Sequence, residues 1–191
     1  MTEDETRSDS ELAVEAQAGQ KLAFNHLVQR HKEPLFRFVR RYIGNEDDAY
    51  DIVQDTFISA WLALARYDRN KAFLTWLRAI ALNKCRDFGR RQTVRRRFSR
   101  MIGFYEPEPP AENEQALGDS DLENRRLVRL DQAIAELPPF YKEPLLLTSV
   151  SGLSQQDTAI QLKTTTKAIE MRIRRAKKKL AEALADLKGG G

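Results

Sequence analysis

Between about Ser10 and Gly44, Leu27, Val28, His31, Leu35, Phe38, Val39 and Tyr42 recur at steps of three and four residues, which gathers them on one side of an α-helix. Pro34 falls inside that stripe and predicts a kink or a restart. Asn45 then precedes Glu46, Asp47 and Asp48, an N-cap followed by carboxylates in the first turn, where the helix dipole favours negative charge. The helix begun there would bury Ala49, Ile52, Val53, Phe57, Ala60, Trp61 and Leu64. A short turn over residues 68–71 leads into another helix from Ala72 to about Arg91. Residues 93–121 break the pattern with Pro107, Pro109, Pro110, many acids and few large apolar groups, a composition that cannot offset its ordering entropy. Beyond this linker, Leu122 to Glu136 forms a helix, Pro138 suits the first turn of the next, and Gly152 ends that one. Strand-like alternation is absent. The expected fold is all-α, two small helical domains at 10–92 and 122–187 joined by a flexible linker at 93–121, with disordered tails at 1–9 and 188–191.

The stretch from Leu153 to Leu180 carries the clearest supersecondary signal. Ser154 with Asp157 three residues on is an acidic form of the capping box, opening a short helix to Leu162. Lys163 and Thr164 make a turn, and Thr165 caps a longer helix. At 100° per residue, Ile169, Ile173, Ala176, Leu180, Leu184 and Leu187 share its packing face, with Lys167, Met171, Arg174, Arg175 and Lys178 opposite and Glu170 on the flank. Small Ala159 lies where the second helix must cross the first. This layout is a helix-turn-helix, whose second helix offers its N-terminal half to a major groove. Lys163 stands where such turns usually carry glycine, so a left-handed backbone there would cost about 1 kcal/mol. The same basic run also fits an ordinary solvated helix face.

Charge distribution sharpens the picture more than its sum. The 191 residues have a net charge of only +4. From Lys71 to Arg100 there are ten basic residues and one acid, Asp87, whereas Glu106 to Glu123 holds seven acids and no base. Such blocks suit a chain that addresses a polyanion with selected surfaces. One cysteine, Cys85, cannot make an internal disulfide and fits a reducing compartment. The acidic, polar start MTEDETRSDSE is no secretory signal, and no apolar run is long enough to span a bilayer, so the expected location is the cytoplasm, without membrane insertion.

The helix begun at Asn45 leaves Asp48, Asp51, Gln54 and Asp55 outside its buried stripe. Metal binding or acid-base catalysis by these carboxylates would need further ligands or a perturbing pocket, and none is visible; a docking surface and a solvated face both remain open. On the next helix Phe73, Leu77, Ile80, Ala81 and Phe88 gather on one side, while Asn83, Arg86 and Arg90 project from the other as one basic, hydrogen-bonding stripe. Amide and guanidinium groups so placed can hold phosphates and read an exposed base. Phe73 and Trp76 read as core rather than as stacking platforms. His26 and His31, five apart, make a poor chelating pair, and Cys85 reads as a packed thiol. There is no phosphate-cradling glycine loop, metal cluster or nucleophile motif; neither enzymatic activity nor a cofactor is expected.

Three stretches in order, DAYDIVQDTFISAW (Asp48 to Trp61), FLTWLRAIALNKCRDFGRR (Phe73 to Arg91), and LPPFYKEPLLLTSVSGLSQQDTAIQL with AIEMRIRRAKKKL (Leu137 to Leu180), resemble bacterial RNA polymerase sigma factors of the extracytoplasmic-function group. The resemblance implies sigma regions 2 and 4, binding core RNA polymerase and recognising the minus-ten and minus-thirty-five promoter elements. It further implies that Asp48, Asp51, Gln54 and Asp55 bind the clamp helices of the largest polymerase subunit. By the same resemblance Asn83, Arg86, Arg90 and Arg91 meet the opened minus-ten DNA, and the groove-reading positions fall on Glu170, Met171, Arg174 and Arg175, beside Thr165 and Lys167. An anti-sigma factor is implied as a further partner. Two other functions compete: a regulator that binds its operator without polymerase, which leaves the acidic helix unused, and a nucleic-acid-processing enzyme, for which no turnover chemistry is located.

Overall fold

The computed structural model describes residues 7–101 and 119–186. The expected tails at 1–6 and 188–191 and the proline-rich part of the linker lie outside the described residues. In chain order the helices are α1 (Asp9–Gln17), α2 (Lys21–Ile43), α3 (Glu46–Ala63), a 3-10 turn (Leu64–Arg66), α4 (Phe73–Met101), α5 (Asp119–Glu136), α6 (Pro139–Ser149), α7 (Gln155–Gln161) and α8 (Thr166–Asp186). Among the described residues there is no strand.

The apolar stripes become the core. Leu27, Leu35, Phe38 and Val39 of α2 meet Ala49, Val53 and Ala60 of α3 and Phe73, Leu77 and Ala81 of α4, all buried. Asn45 caps α3 as expected, its side chain accepting from the Asp48 N–H. Phe73 is buried and Trp76 packs against it with ring centroids 5.5 Å apart, so both serve the core. In the C-terminal half, Leu145, Leu146 and Leu147 of α6 and Ala159 of α7 close on Ile169, Ile173, Ala176 and Leu180 of α8.

Four expectations are corrected. Order begins before Ser10: Ser8 caps α1 in a full capping box with Glu11, and Asp9 Oδ2 stands 2.7 Å from His31 Nε2, tying α1 to α2. The 1–9 tail therefore ends by residue 7. Pro34 does not restart the helix: α2 is continuous from Lys21 to Ile43, and His31, Leu35 and Phe38 bury the stripe on both sides of the proline. α4 runs on to Met101, so residues 93–101 are helical rather than linker. Four of its nine residues are arginines, good helix formers, and the first proline comes only at 107. α5 likewise starts at Asp119 instead of Leu122.

The two halves touch. α5 and α6 lie against α2, and Gly44, the left-handed C-cap of α2 at φ 83°, sits beneath Ala135 of α5. A Cβ at Gly44 would stand 2.6 Å from the Ala135 Cβ, so the approach requires glycine.

Candidate nucleic-acid interface

α8 presents the most open of the predicted surfaces. Ser154 accepts from the Asp157 N–H at 3.0 Å and caps α7. Lys163 adopts φ 52°, the left-handed turn its position demanded. Thr165 Oγ1 accepts from the Ala168 N–H at 3.2 Å, capping α8 and leaving its hydroxyl proton available. With Ile169, Ile173 and Ala176 turned inward, Thr165, Lys167, Glu170, Met171, Arg174 and Arg175 are all exposed along one ridge. Two other cations of α8, Arg172 and Lys179, lie over aromatic rings of α6, while Lys178 pairs with Glu182. The Arg172 guanidinium lies 3.8 Å from the centroid of the Phe140 ring on α6, and Lys179 Nζ lies 5.9 Å from that of Tyr141. The ridge thus separates groups that hold α8 in place from groups aimed outward.

On α4, Asn83, Arg90 and Arg91 are exposed and Arg86 is half-buried. Arg90 is paired with Asp87 one turn back. Arg86 is bound from across the molecule: its Nε donates to Glu143 Oε1 at 2.7 Å and its Nη2 to Glu143 Oε2 at 2.5 Å, a two-pronged contact with α6, while Nη1 reaches Asn83 Oδ1 at 3.3 Å. The hydrogen bonds to Glu143 raise the Arg86 pKa. The predicted stripe is therefore together on one helix face, and one of its members is engaged by a carboxylate.

The acidic face of α3 is also assembled. Asp51, Gln54 and Asp55 are exposed and Asp48 is half-buried, all clear of the core stripe. Burial and the neighbouring charges of Asp51 and Asp47 raise the Asp48 pKa, the effect expected where anions crowd at one helix start. Among the described residues no group of three or more His, Cys, Asp or Glu side chains could hold a metal. No helix among them is long and apolar enough to cross a membrane.

Sequence reading missed a polar seam where α6 meets α2, α4 and α5. Tyr42 Oη donates to Glu143 Oε1 at 3.2 Å, and Lys142 Nζ donates to the Tyr42 carbonyl at 2.8 Å and to the Ala135 carbonyl. Burial pushes the Lys142 pKa down to about 8 and the neighbouring Cys85 thiol up to about 12. Burial, reinforced by the Glu143 charge, likewise raises Tyr42. A signal was present: Lys142 and Glu143 interrupt the apolar run from Phe140 to Leu147, and a charged pair inside such a run implies a buried polar partner.

Residues 27–95 match the family model of Sigma-70 region 2, and residues 127–180 match that of Sigma-70, region 4. The RNA polymerase sigma factor NccH of Alcaligenes xylosoxydans is 38% identical over 182 residues, spanning 92% of this chain and 94% of the relative. The ECF RNA polymerase sigma factor SigM of Mycobacterium tuberculosis is 28% identical over 184 residues, 96% of this chain and 88% of its own. Among solved structures, CnrH in complex with the cytosolic domain of CnrY matches with TM-score 0.64 and 32% identity over 96% of this chain and 99% of CnrH. RpoE of Bartonella quintana, in complex with the anti-sigma factor NepR, matches with TM-score 0.65 and 25% identity over 85% of this chain and 96% of RpoE. Two sigma regions in order and relatives alike over nearly their full length place the protein: it belongs to the extracytoplasmic-function group of RNA polymerase sigma factors, the proteins that act in transcription initiation.

Proposed function

We propose that this chain is a promoter-specificity subunit that carries core RNA polymerase to DNA through three separate surfaces. The observation that carries this reading is the α8 ridge, where every predicted groove residue is exposed while its apolar partners are buried. Inserted in the major groove of the minus-thirty-five element, Arg174 and Arg175 can bridge guanine edges, Glu170 can accept from cytosine, and Met171 can pack on a thymine methyl. Thr165 and Lys167, at the start of the helix, serve the phosphates. Asn83, Arg86, Arg90 and Arg91 hold the opened minus-ten strand. Unstacking a base costs a few kcal/mol, and a pocket that binds one extruded strand favours the melted state without making or breaking any bond. Asp48, Asp51, Gln54 and Asp55 form the acidic surface for the polymerase clamp helices.

In this reading α1 to α4 and α5 to α8 act as two modules, the acidic linker tethers them, and the protein works in the cytoplasm with polymerase on the nucleoid. Similarity to sigma factors solved with CnrY and with NepR supports a restraining anti-sigma factor as a further partner. The test is run-off transcription with purified core polymerase on a library of random promoters. Selection of a two-part promoter motif supports the reading, and no initiation at any site removes it. Asp51→Arg should weaken core polymerase binding at least tenfold with an unchanged helical circular dichroism spectrum; unchanged affinity would remove the α3 docking surface.

A further inference from the structure

Arg78 of α4 is only 6% exposed, yet it has no counter-ion. Its Nη1 donates to the Ser151 carbonyl at 3.1 Å, but its Nε finds no acceptor, and among the described residues no carboxylate pairs with it. The guanidinium lies 6.0 Å from the centroid of the Phe38 ring, a contact that gives Nε no hydrogen bond. Beside it, in the turn between α6 and α7, the Ser151 hydroxyl is also buried without a partner. A buried cation without an anion and a buried hydroxyl without a partner each cost free energy, and native folds recover that cost through a bound group.

Arg37 connects these two groups to the surface. Burial, and after it the Arg37 charge, lower the Arg78 pKa, so two like charges crowd one another here. Arg37 is exposed and borders a groove of about 280 Å³ between α2 and α5, which Arg40, Arg41 and Asp131 also line. Asp131 is already engaged by Arg41 at 3.0 Å, and Glu33 approaches Arg37 only to 3.7 Å from an exposed position. Four arginines thus meet two carboxylates, neither of which pairs with Arg78. Water could satisfy the hydroxyl but would bring no charge. A tetrahedral oxyanion meets both needs, because it offers separate oxygens to an N–H and an O–H and its charge offsets neighbouring guanidiniums.

We propose that this corner binds a small tetrahedral oxyanion of the phosphate class, which accepts from Arg78 Nε and from the Ser151 hydroxyl and is balanced by Arg37. The ligand is a free ion rather than the phosphate of a nucleic acid, since Arg78 is too enclosed for a polymer backbone to reach. Bound there, it ties α2, α4 and the α6–α7 turn to one another and stabilises the folded chain. The site is separate from the promoter surfaces of α4 and α8, and its failure would leave them untouched.

The test uses the full-length chain, inorganic phosphate as the probe, and sodium chloride at matched ionic strength as the reference. Isothermal titration should give one saturable site per chain. Thermal unfolding should rise by about 5–10 °C when phosphate is in hundredfold excess over its dissociation constant. In a proton–nitrogen correlation spectrum the Arg78 Nε–H resonance, identified by its absence in Arg78→Met, should move with the same dissociation constant. Ser151→Ala and Arg37→Gln should each weaken phosphate roughly three- to tenfold. Arg78→Met should abolish the response and, without phosphate, remain at least as stable as the parent, because it removes a buried unpaired charge. Should Arg78→Met not fold, the other two variants decide the question, since neither removes a large buried side chain. The site is overturned if chloride gives the same rise, if no saturable heat appears so that water alone fills the corner, or if Ser151→Ala and Arg37→Gln both bind phosphate as the parent does. A 12-base-pair duplex that moves the Arg78 Nε–H resonance as phosphate does would overturn the assignment to a free ion.

Discussion

The basic faces of α4 and α8 look alike in sequence and differ in their electrostatic company. On α8, Lys167, Arg174 and Arg175 face solvent, and the cations drawn into packing, Arg172 and Lys179, lie over aromatic rings rather than against acids. On α4, Arg86 is gripped by Glu143 and Arg90 by Asp87. The first surface carries cations free of acidic partners at Arg174 and Arg175, whereas on the second Arg86 and Arg90 are already paired with carboxylates. Arginines at helical spacing therefore mark a surface that can bind nucleic acid, and the carboxylates around them decide whether it is available.

The largest effects should come from the cores that hold these two faces. Phe73→Ala beneath the α4 stripe should cost about 3–5 kcal/mol and Ile169→Ala beneath the α8 ridge about 2–5 kcal/mol, both side chains being fully buried. Differential scanning calorimetry then asks whether the halves melt together. One shared transition shifted by both substitutions would indicate a seam that couples them, and two transitions, each answering to one substitution, would indicate independent modules.

Next in size are the proposed DNA contacts. Arg175→Ala should lose about 1–3 kcal/mol of discrimination at one upstream base pair, read by competition among single-base promoter variants with the holoenzyme. Arg90→Ala should instead weaken binding evenly across sequences and lower the salt slope by about one. Uniform loss for Arg175 would make it a phosphate contact and erase the distinction between the faces.

Smaller still is the cap of the helix that positions the ridge. Ser154→Ala removes the acceptor for the Asp157 N–H and should cost about 1 kcal/mol in denaturant unfolding. Asp87→Asn, which frees the exposed Arg90, should change stability by less than about 1 kcal/mol.

The mildest effect is a curvature with pH. Lys142 titrates near 8 when folded, below the ordinary lysine range, so from pH 8 upward the folded chain holds fewer protons than the unfolded chain and stability rises. Cys85 and Tyr42 are raised and act oppositely, withdrawing stability as pH climbs past the ordinary thiol value of 9 and the tyrosine value of 10. Urea midpoints should therefore increase between about pH 8 and 9 and then fall, and Lys142→Met should abolish the rise.

Much of this molecule was legible in its sequence because it depends on neighbours a few residues apart. The faces of α3 and α8, the Asn45, Ser154 and Thr165 caps, and the left-handed Lys163 all follow from local spacing and chemistry. What escaped depends on distance or on competition between local rules. Pro34 is carried by burial on either side of it, and α4 continues past Arg91 because its further arginines favour helix and the prolines that mark the linker begin only at 107. The Arg86–Glu143 pair joins positions 57 residues apart across the linker, and no periodicity within either segment could announce it.

Burial of Cys85 has a chemical consequence of its own. The chain's one sulfhydryl is enclosed and stays protonated far above neutral pH, the state least able to attack a peroxide or an alkylating probe. An oxidant that altered transcription through this protein would not act through this thiol, and a reporter dye attached to an introduced surface cysteine would meet no reactive native thiol.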